Sequence, residues 1–193
     1  MPKNFRFYVN HAMTFECQLE SQQCEGINRR GNQCRNRCVI GTPKCWHHLL
    51  KENKVRIKPS QFGKGLFAMD IDKGANEIVF KKNQTIVQYT GEIINRDELE
   101  RRYGVHTAPY AVAKSDNEYI DSACSRGVGS LINHQQEARA NCRFSYTRNG
   151  GIQVKATKNI RNGQELYLNY NKGVARGEQR YLFNEDGIEH STR

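Results

Sequence analysis

Residues Asn117–Cys142 read NEYIDSACSRGVGSLINHQQEARANC. The run opens on the β-prone NEYID, breaks at Gly127 and Gly129, and carries Asn133-His134 before reaching Cys142. The chain keeps the same habit on either side. VRIKP, EIVF and TIVQYT precede it, while FSYT, IQVKAT and ELYLNY follow. Each is a short segment rich in β-branched or aromatic residues. Gly63, Gly65, Gly74, Gly91 and the Gly150-Gly151 pair separate them. Only Arg96–Tyr103 (RDELERRY) and residues 176–183 read as helical. Many short strands with few helices imply a mainly β domain from Val55 onward.

Residues 1–53 are different material. Five of the seven cysteines (Cys17, Cys24, Cys34, Cys38 and Cys45) fall in this part, among Arg, Asn and Gln. Such a stretch holds little periodic hydrophobicity and buries too little apolar surface to fold alone, so a metal is expected to supply the missing folding energy. Cys24, Cys34, Cys45 and His48 stand as C-x9-C-x10-C-x2-H, ending in CWHH. Three thiolates and an imidazole satisfy tetrahedral zinc. Cys38, Cys17 or His47 are alternatives for one of these four. Cys124 and Cys142, isolated in the sequence, are expected to be small buried hydrophobes. The loops between ligands carry Arg29, Arg30, Arg35, Arg37 and Lys44 against Glu25, a basic knuckle suited to docking on phosphates or an acidic protein surface.

The net charge of +10 over 193 residues favours polyanionic partners, with nucleic acid the first candidate. Lys and Arg are spread along the whole chain, so charge alone marks no discrete footprint. No apolar run approaches the roughly 18 residues of a membrane span. MPKNFRFYVN lacks the apolar stretch of roughly 7–15 residues found in signal peptides. A nuclear or cytoplasmic protein, not a secreted one, is the expectation.

Four separated elements carry a family resemblance, and they occur in the family's order. They are Gly63-Lys64-Gly65-Leu66-Phe67-Ala68; Tyr89-Thr90-Gly91-Glu92-Ile93; the Y-I-D…I-N-H…N-C skeleton of Asn117–Cys142; and Gly163-Gln164-Glu165-Leu166 running to Tyr170. Together they resemble a SET-domain protein lysine methyltransferase over about residues 54–171. The resemblance implies a SET fold of small β-sheets in which the I-N-H strand and the final tyrosine segment are threaded together as a pseudo-knot. It implies S-adenosylmethionine on one face, bound by Lys64, Gly65, Phe67, Tyr110, Asn133 and His134. The substrate lysine enters from the opposite face, through a channel formed by Tyr89, Phe144, Leu168 and Tyr170. Tyr170 and Tyr89 are the expected catalytic residues, and His134 makes structural and cofactor hydrogen bonds instead of acting as a base.

There are departures from the family pattern. The usual N-H-S-C-x-P-N is here N-H-Q-Q-E-A-R-A-N, and Ser130 stands where an arginine often precedes F-I-N-H. No cysteine follows Tyr170, so the zinc-binding post-SET segment is expected to be missing, as in the small viral members. Residues 172–193, with Tyr181-Leu182-Phe183, are expected to close the active site instead, or to serve in a homodimer interface. Phe144 and Leu168 lack hydroxyls, which in this family implies di- or trimethylation. The implied substrate is a protein lysine on a histone tail, with nucleic-acid or nucleosome contact as a further partner. The alternatives are a catalytically weak SET-fold protein that binds chromatin or nucleic acid, and a methyltransferase for a non-histone protein.

Overall fold

The computed structural model describes residues 3–9, 12–38, 41–104 and 108–172, together with the strand backbones of 182–183 and 189–190. It opens with an antiparallel hairpin, β1 (Lys3–Val9) and β2 (Ala12–Leu19). After an irregular cysteine-bearing stretch comes α1 (Trp46–Asn53), which ends on Lys54 in the left-handed conformation at φ 54°. The hairpin of β3 (Val55–Ser60) and β4 (Gly63–Ala68) follows, turning at Gly63, whose φ of 92° suits a residue without Cβ. Next come β5 (Ile78–Phe80), β6 (Thr85–Tyr89) and β7 (Glu92–Asn95).

Helix α2 (Arg96–Tyr103) forms where the sequence expects it. Asn95 caps it by accepting the Glu98 N–H at 2.9 Å. Asp97 and Glu98 sit in the first turn and Arg101 and Arg102 in the last, complementing the helix dipole. Beyond it lie β8 (Ala111–Ala113), β9 (Glu118–Asp121), β10 (Asn133–His134), β11 (Cys142–Tyr146), β12 (Ile152–Ala156), β13 (Ile160–Arg161) and β14 (Tyr167–Leu168). The backbones of β15 (Leu182–Phe183) and β16 (Glu189–His190) pair antiparallel. Residues 182–183 are therefore strand where helix was expected, and 176–181 lie outside the described residues. No helix among the described residues is long and apolar enough to cross a membrane.

The largest sheet is five-stranded, in the order β10-β14-β11-β12-β6. Alternation builds its inner face: Ile152, Val154 and Ala156 of β12 are buried while Gln153 and Lys155 are partly exposed. Val154 and Ala156 join Val55, Leu66, Phe80, Ile132 and Leu168 in one core, while Ile152 packs with Tyr89 and Ile120 in a second cluster. Leu49 of α1, 1% exposed, belongs to the same core, so the cysteine-bearing stretch is anchored to the β domain.

The N-terminal hairpin was not anticipated. Phe7 and Phe15 pack edge-on against Tyr103, with ring centroids 4.9 and 5.7 Å away, and Phe5 meets Tyr110 at 5.3 Å. Thr14 donates its hydroxyl to the Arg102 carbonyl at 2.7 Å. Cys17 on β2 forms a disulfide with Cys124, just beyond β9. This corrects two expectations: Cys17 is not an alternative metal ligand, and Cys124 is not an isolated buried thiol. The physical reason is the docking of β2 on α2, which carries Cys17 away from the other cysteines.

Candidate active site and metal centre

The placement of β14 organises the site. It lies between β10 and β11 and runs parallel to both, although it comes later in the chain than either. The span 135–141, which joins β10 to β11, must therefore pass around residues 165–168. Gln135 N–H donates to the Leu168 carbonyl at 2.9 Å, and Asn141 N–H to the Tyr167 carbonyl at 3.1 Å. The buried Asn141 amide adds two bonds, donating to the Glu165 carbonyl and accepting from Tyr167 N–H, both at 2.8 Å. Here is the threading that the sequence resemblance implied. The altered N-H-Q-Q loop makes it with a one-turn coil in which Arg139 and Ala140 N–H groups both donate to the Gln136 carbonyl.

Threading sets the predicted residues into two clusters. In the first, Tyr170 N–H donates to Nδ1 of His134 at 3.1 Å, and the Tyr170 hydroxyl donates to the Ile132 carbonyl at 2.5 Å. Tyr170, Leu168, Tyr89 and Phe144 line one cavity of about 440 Å³, joined by Ile132, Tyr146 and Lys172. All four residues expected in the substrate channel thus share one space. The Tyr89 and Phe144 rings meet nearly perpendicular at 5.4 Å. Burial drives the Tyr89 phenol well above its ordinary pKa, and its hydroxyl donates to the Tyr110 carbonyl at 2.7 Å. Burial also lowers the pKa of His134, keeping the imidazole neutral so that Nδ1 can accept.

The second cluster joins the glycine-rich strand to the threaded one. Asn133 donates its side-chain amide to the Lys64 carbonyl at 3.2 Å and to Glu165 Oε1 at 2.8 Å. Glu165 Oε2 accepts from the Ser60 hydroxyl at 3.0 Å and the Tyr167 hydroxyl at 2.7 Å. Burial, followed by this bond to Glu165, pushes the Tyr167 phenol up to about 12. A Cβ on Gly65 would lie 2.2 Å from Glu165 Oε1, so only glycine allows this approach. Phe67 pairs with Glu165 through an isolated backbone bridge, and Lys58 lies over its ring at 4.7 Å. Tyr110 does not line the cavity; its ring packs on Phe5, with the Arg126 guanidinium 4.5 Å from its centre.

Ser60, Glu137, Asn141 and Glu165 had no individual roles in the sequence reading. Glu165 and Asn141 stood inside the quoted motifs, which was the available signal. Glu137, in the departing part of the same quoted stretch, accepts from Asn169 at 3.0 Å and from the Lys172 ammonium at 2.7 Å, tying the 135–141 span to the chain beyond β14. Tyr181, expected to help close the channel, lies outside the described residues; of Leu182 and Phe183 only the strand backbone is described.

The ligand atoms of Cys24, Cys34, Cys45 and His48 all lie within 4.8 Å of one another, and all four residues are buried. Cys34 and Cys45 sulfurs are 4.0 Å apart, and His48 Nδ1 lies 3.4 and 3.3 Å from the sulfurs of Cys24 and Cys45. Tetrahedral zinc with ligands at about 2.0–2.3 Å requires donor separations of about 3.5–3.8 Å. The donor set fits zinc in type, number and spacing. Gly26 and Cys45 N–H groups donate to Cys24 Sγ at 3.3 and 3.2 Å, fixing the sulfur in place. The other ring nitrogen of His48 bonds the Ile27 carbonyl at 3.1 Å, fixing the ring as an outer partner does in zinc sites. A Cβ on Gly26 would come within 2.5 Å of that ring, so the glycine makes room for it. Cys38 is buried beside this group, while His47 packs against Trp46.

Three comparisons bear on this geometry. The model of the SET domain family matches residues 63–171. An H3 lysine-36 specific histone-lysine N-methyltransferase of Mycosarcoma maydis is 27% identical over 172 residues, covering 84% of this chain and 15% of that protein. Histone-lysine N-methyltransferase SUV39H1 of Xenopus laevis is 25% identical over 156 residues, covering 74% and 35%. The chain thus spans only a minor part of the relatives it matches. Among solved structures, ctPRC2 in an autoinhibited conformation bound to S-adenosylmethionine aligns with a TM-score of 0.50 at 27% identity, covering 61% of this chain and 15% of that one. An active polycomb repressive complex 2 in the stimulated state aligns at 0.51 with 26% identity, covering 66% and 16%.

Proposed function

Because this chain belongs to the SET-domain family, we propose that it transfers methyl groups from S-adenosylmethionine to the side-chain amine of a lysine on a histone tail. The observation that carries the reading is the cavity where Tyr89, Phe144, Leu168 and Tyr170 converge beside the threaded Asn133-His134 strand.

S-adenosylmethionine supplies the reactive methyl, which leaves sulfur with the bonding pair returning to it as the amine nitrogen forms its new bond. Lysine ordinarily titrates near 10.4, so the ammonium must lose a proton before it can attack. Walls of Phe144, Leu168, Ile132 and the protonated Tyr89 disfavour the charged form by desolvation. Tyr170, fixed at its N–H by His134 and at its hydroxyl by the Ile132 carbonyl, can orient the amine along the transfer line. Alignment of this kind provides most of the acceleration in a bimolecular displacement.

For the donor we assign Lys64, Gly65, Phe67, Asn133 and His134, with Tyr110 as an outer residue. Gly63 and Lys64 are exposed, and a Cβ on Gly63 would meet nothing within 4 Å, leaving backbone open to a ligand. The cysteine-histidine group holds structural zinc. Phe144 and Leu168 bring no hydroxyl to hold a water in the channel, so product proceeds to di- or trimethyllysine.

The test is incubation of the full chain with labelled donor and separate core histones, beside Tyr170→Phe, with calorimetry of donor binding. Label in a histone, reduced about 10²-fold in the variant, is the expected result. Donor binding with no label in any histone would redirect the substrate to another protein; no donor binding would leave a SET fold without turnover. Mass spectra confined to monomethyllysine at saturating enzyme would reject the assignment of product.

A further inference from the structure

The cysteine-histidine clip turns an unusual surface outward. Its interior is filled by Cys24, Cys34, Cys38, Cys45 and His48, whereas Arg29, Arg30, Arg35 and Arg37 are exposed. Arg29 and Arg30 ride the tip of a loop that its own side chains fix. The Asn28 carboxamide oxygen accepts from Arg30 N–H at 2.8 Å and Asn32 N–H at 3.1 Å, and Ile27 pairs with Gln33 at the base. Gly31 turns the tip at φ 79°, with nothing within 4 Å of where its Cβ would be.

Charge pairing across the clip is selective. Lys44 is neutralised by Glu52, and Arg37 donates to the Ser21 carbonyl. Among the described residues, Arg29, Arg30 and Arg35 make no ion pair within 4.0 Å. The clip between Cys24 and His48 contains a single acid, Glu25. The same clip carries Trp46, the only tryptophan of the chain, next to the ligand-set Cys45 and 49% exposed, with Ile27 at the base of the tip loop 56% exposed. The His47 ring lies 3.5 Å from it and the Arg56 guanidinium 5.8 Å from its centre. Asn36 reaches Cys45 Sγ at 3.8 Å, which holds the Arg35–Arg37 segment close to Trp46.

We infer that this face of the clip binds nucleic acid, with Arg29, Arg30 and Arg35 on backbone phosphates and Trp46 stacking on a base. Three features select that partner. Guanidinium groups without carboxylate partners match phosphate oxygens in planar, paired geometry. An exposed indole flanked by cations offers a stacking platform that an acidic protein surface does not use. Loop fixation by Asn28 lowers the ordering cost on binding. The surface lies outside the cavity and the donor cluster, so the inference does not depend on the methyl-transfer reading.

The test measures anisotropy of a fluorescent mixed-sequence DNA oligonucleotide, as duplex and as single strand, titrated with the full chain over a salt series. The triple variant Arg29→Ala/Arg30→Ala/Arg35→Ala should bind at least about tenfold more weakly. Its slope of log affinity against log salt on duplex should fall by about 2 to 3, near 0.9 for each lost phosphate. Lysine at the same three positions should keep most of that slope. Trp46→Ala should weaken single-strand binding roughly tenfold and duplex binding less. Zinc content and the thermal midpoint, unchanged in all variants, report that the clip remains folded. Binding within twofold of the parent with an unaltered slope overturns the inference. So does a salt slope that lysine fails to restore.

Discussion

Tyr170 and His134 are joined through a backbone donor and a ring acceptor, Tyr170 N–H to His134 Nδ1 at 3.1 Å. The bond requires an unprotonated nitrogen, and burial already holds the ring below the ordinary histidine pKa of 6.5. Above that value the folded and unfolded chains are both neutral here, and the group contributes no pH dependence. As pH falls through it, the unfolded chain takes up a proton that the folded ring resists, so stability declines with acidification. Urea unfolding between about pH 8 and about pH 5 should show this loss, and His134→Gln should flatten that part of the profile. An identical profile in the variant would refute the assignment.

Gly65 and Glu165 form a second dependence. In Gly65→Ala the new methyl group would collide with a carboxylate held by Ser60, Asn133 and Tyr167. Overpacking of this kind costs about 1–3 kcal/mol. Adding Glu165→Ala removes the obstacle, so the double variant should lose less stability than the two single losses combined. Denaturant midpoints for the four proteins of this cycle decide it; simple additivity would show that the contact does not matter.

Arg102 has a different weight. Its guanidinium reaches Glu92 and Glu98 at 2.6 Å and Asp121 at 2.9 Å, and lies over Phe15 at 4.5 Å. Asp121 is fully buried, so Arg102→Ala strands its charge with only the Tyr103 hydroxyl and local N–H groups. A cost of about 3–5 kcal/mol follows. Because Phe15 of β2 rests on the guanidinium that is removed, the N-terminal hairpin should become the first segment to exchange its amide hydrogens. Unchanged protection of β1 and β2 would contradict the role given to Arg102.

Chelation should reach beyond the clip. Leu49 sits four residues beyond Cys45, the N-cap of α1, and is embedded in the main core. Stripping the metal should therefore release the thiols and also lower the thermal midpoint of the whole domain. Cys45→Ser should reproduce both effects, and readdition of zinc should reverse the first kind of damage. A chelated protein that melts at the original temperature would separate clip from domain.

Local patterns made much of this architecture readable. Strands such as β3, β6 and β12 announce themselves by β-branched runs bounded by glycine or polar turns, and α2 by Asn95 and its charge order. The members of the cysteine-histidine cluster are close enough in sequence for spacing to suggest them, though spacing alone could not exclude Cys17. Long-range partners were opaque. Cys17 and Cys124 are separated by 107 residues, and nothing near either points to the other. The hairpin they secure has aromatic residues whose partners, Tyr103 and Tyr110, lie far downstream. Glu165 was visible as a letter in a motif, but its function as a junction depends on Ser60, 105 residues earlier in the chain.

Because β14 occupies the middle of its sheet, synthesis produces the keystone after the arch. A nascent chain that has not yet emitted residue 167 holds β10 and β11 as two unfilled edges, exposing hydrogen-bonding groups to any neighbouring strand. Premature termination just upstream would leave a product with its clip and hairpins in place but an open seam through its centre, prone to aggregate instead of merely lacking activity.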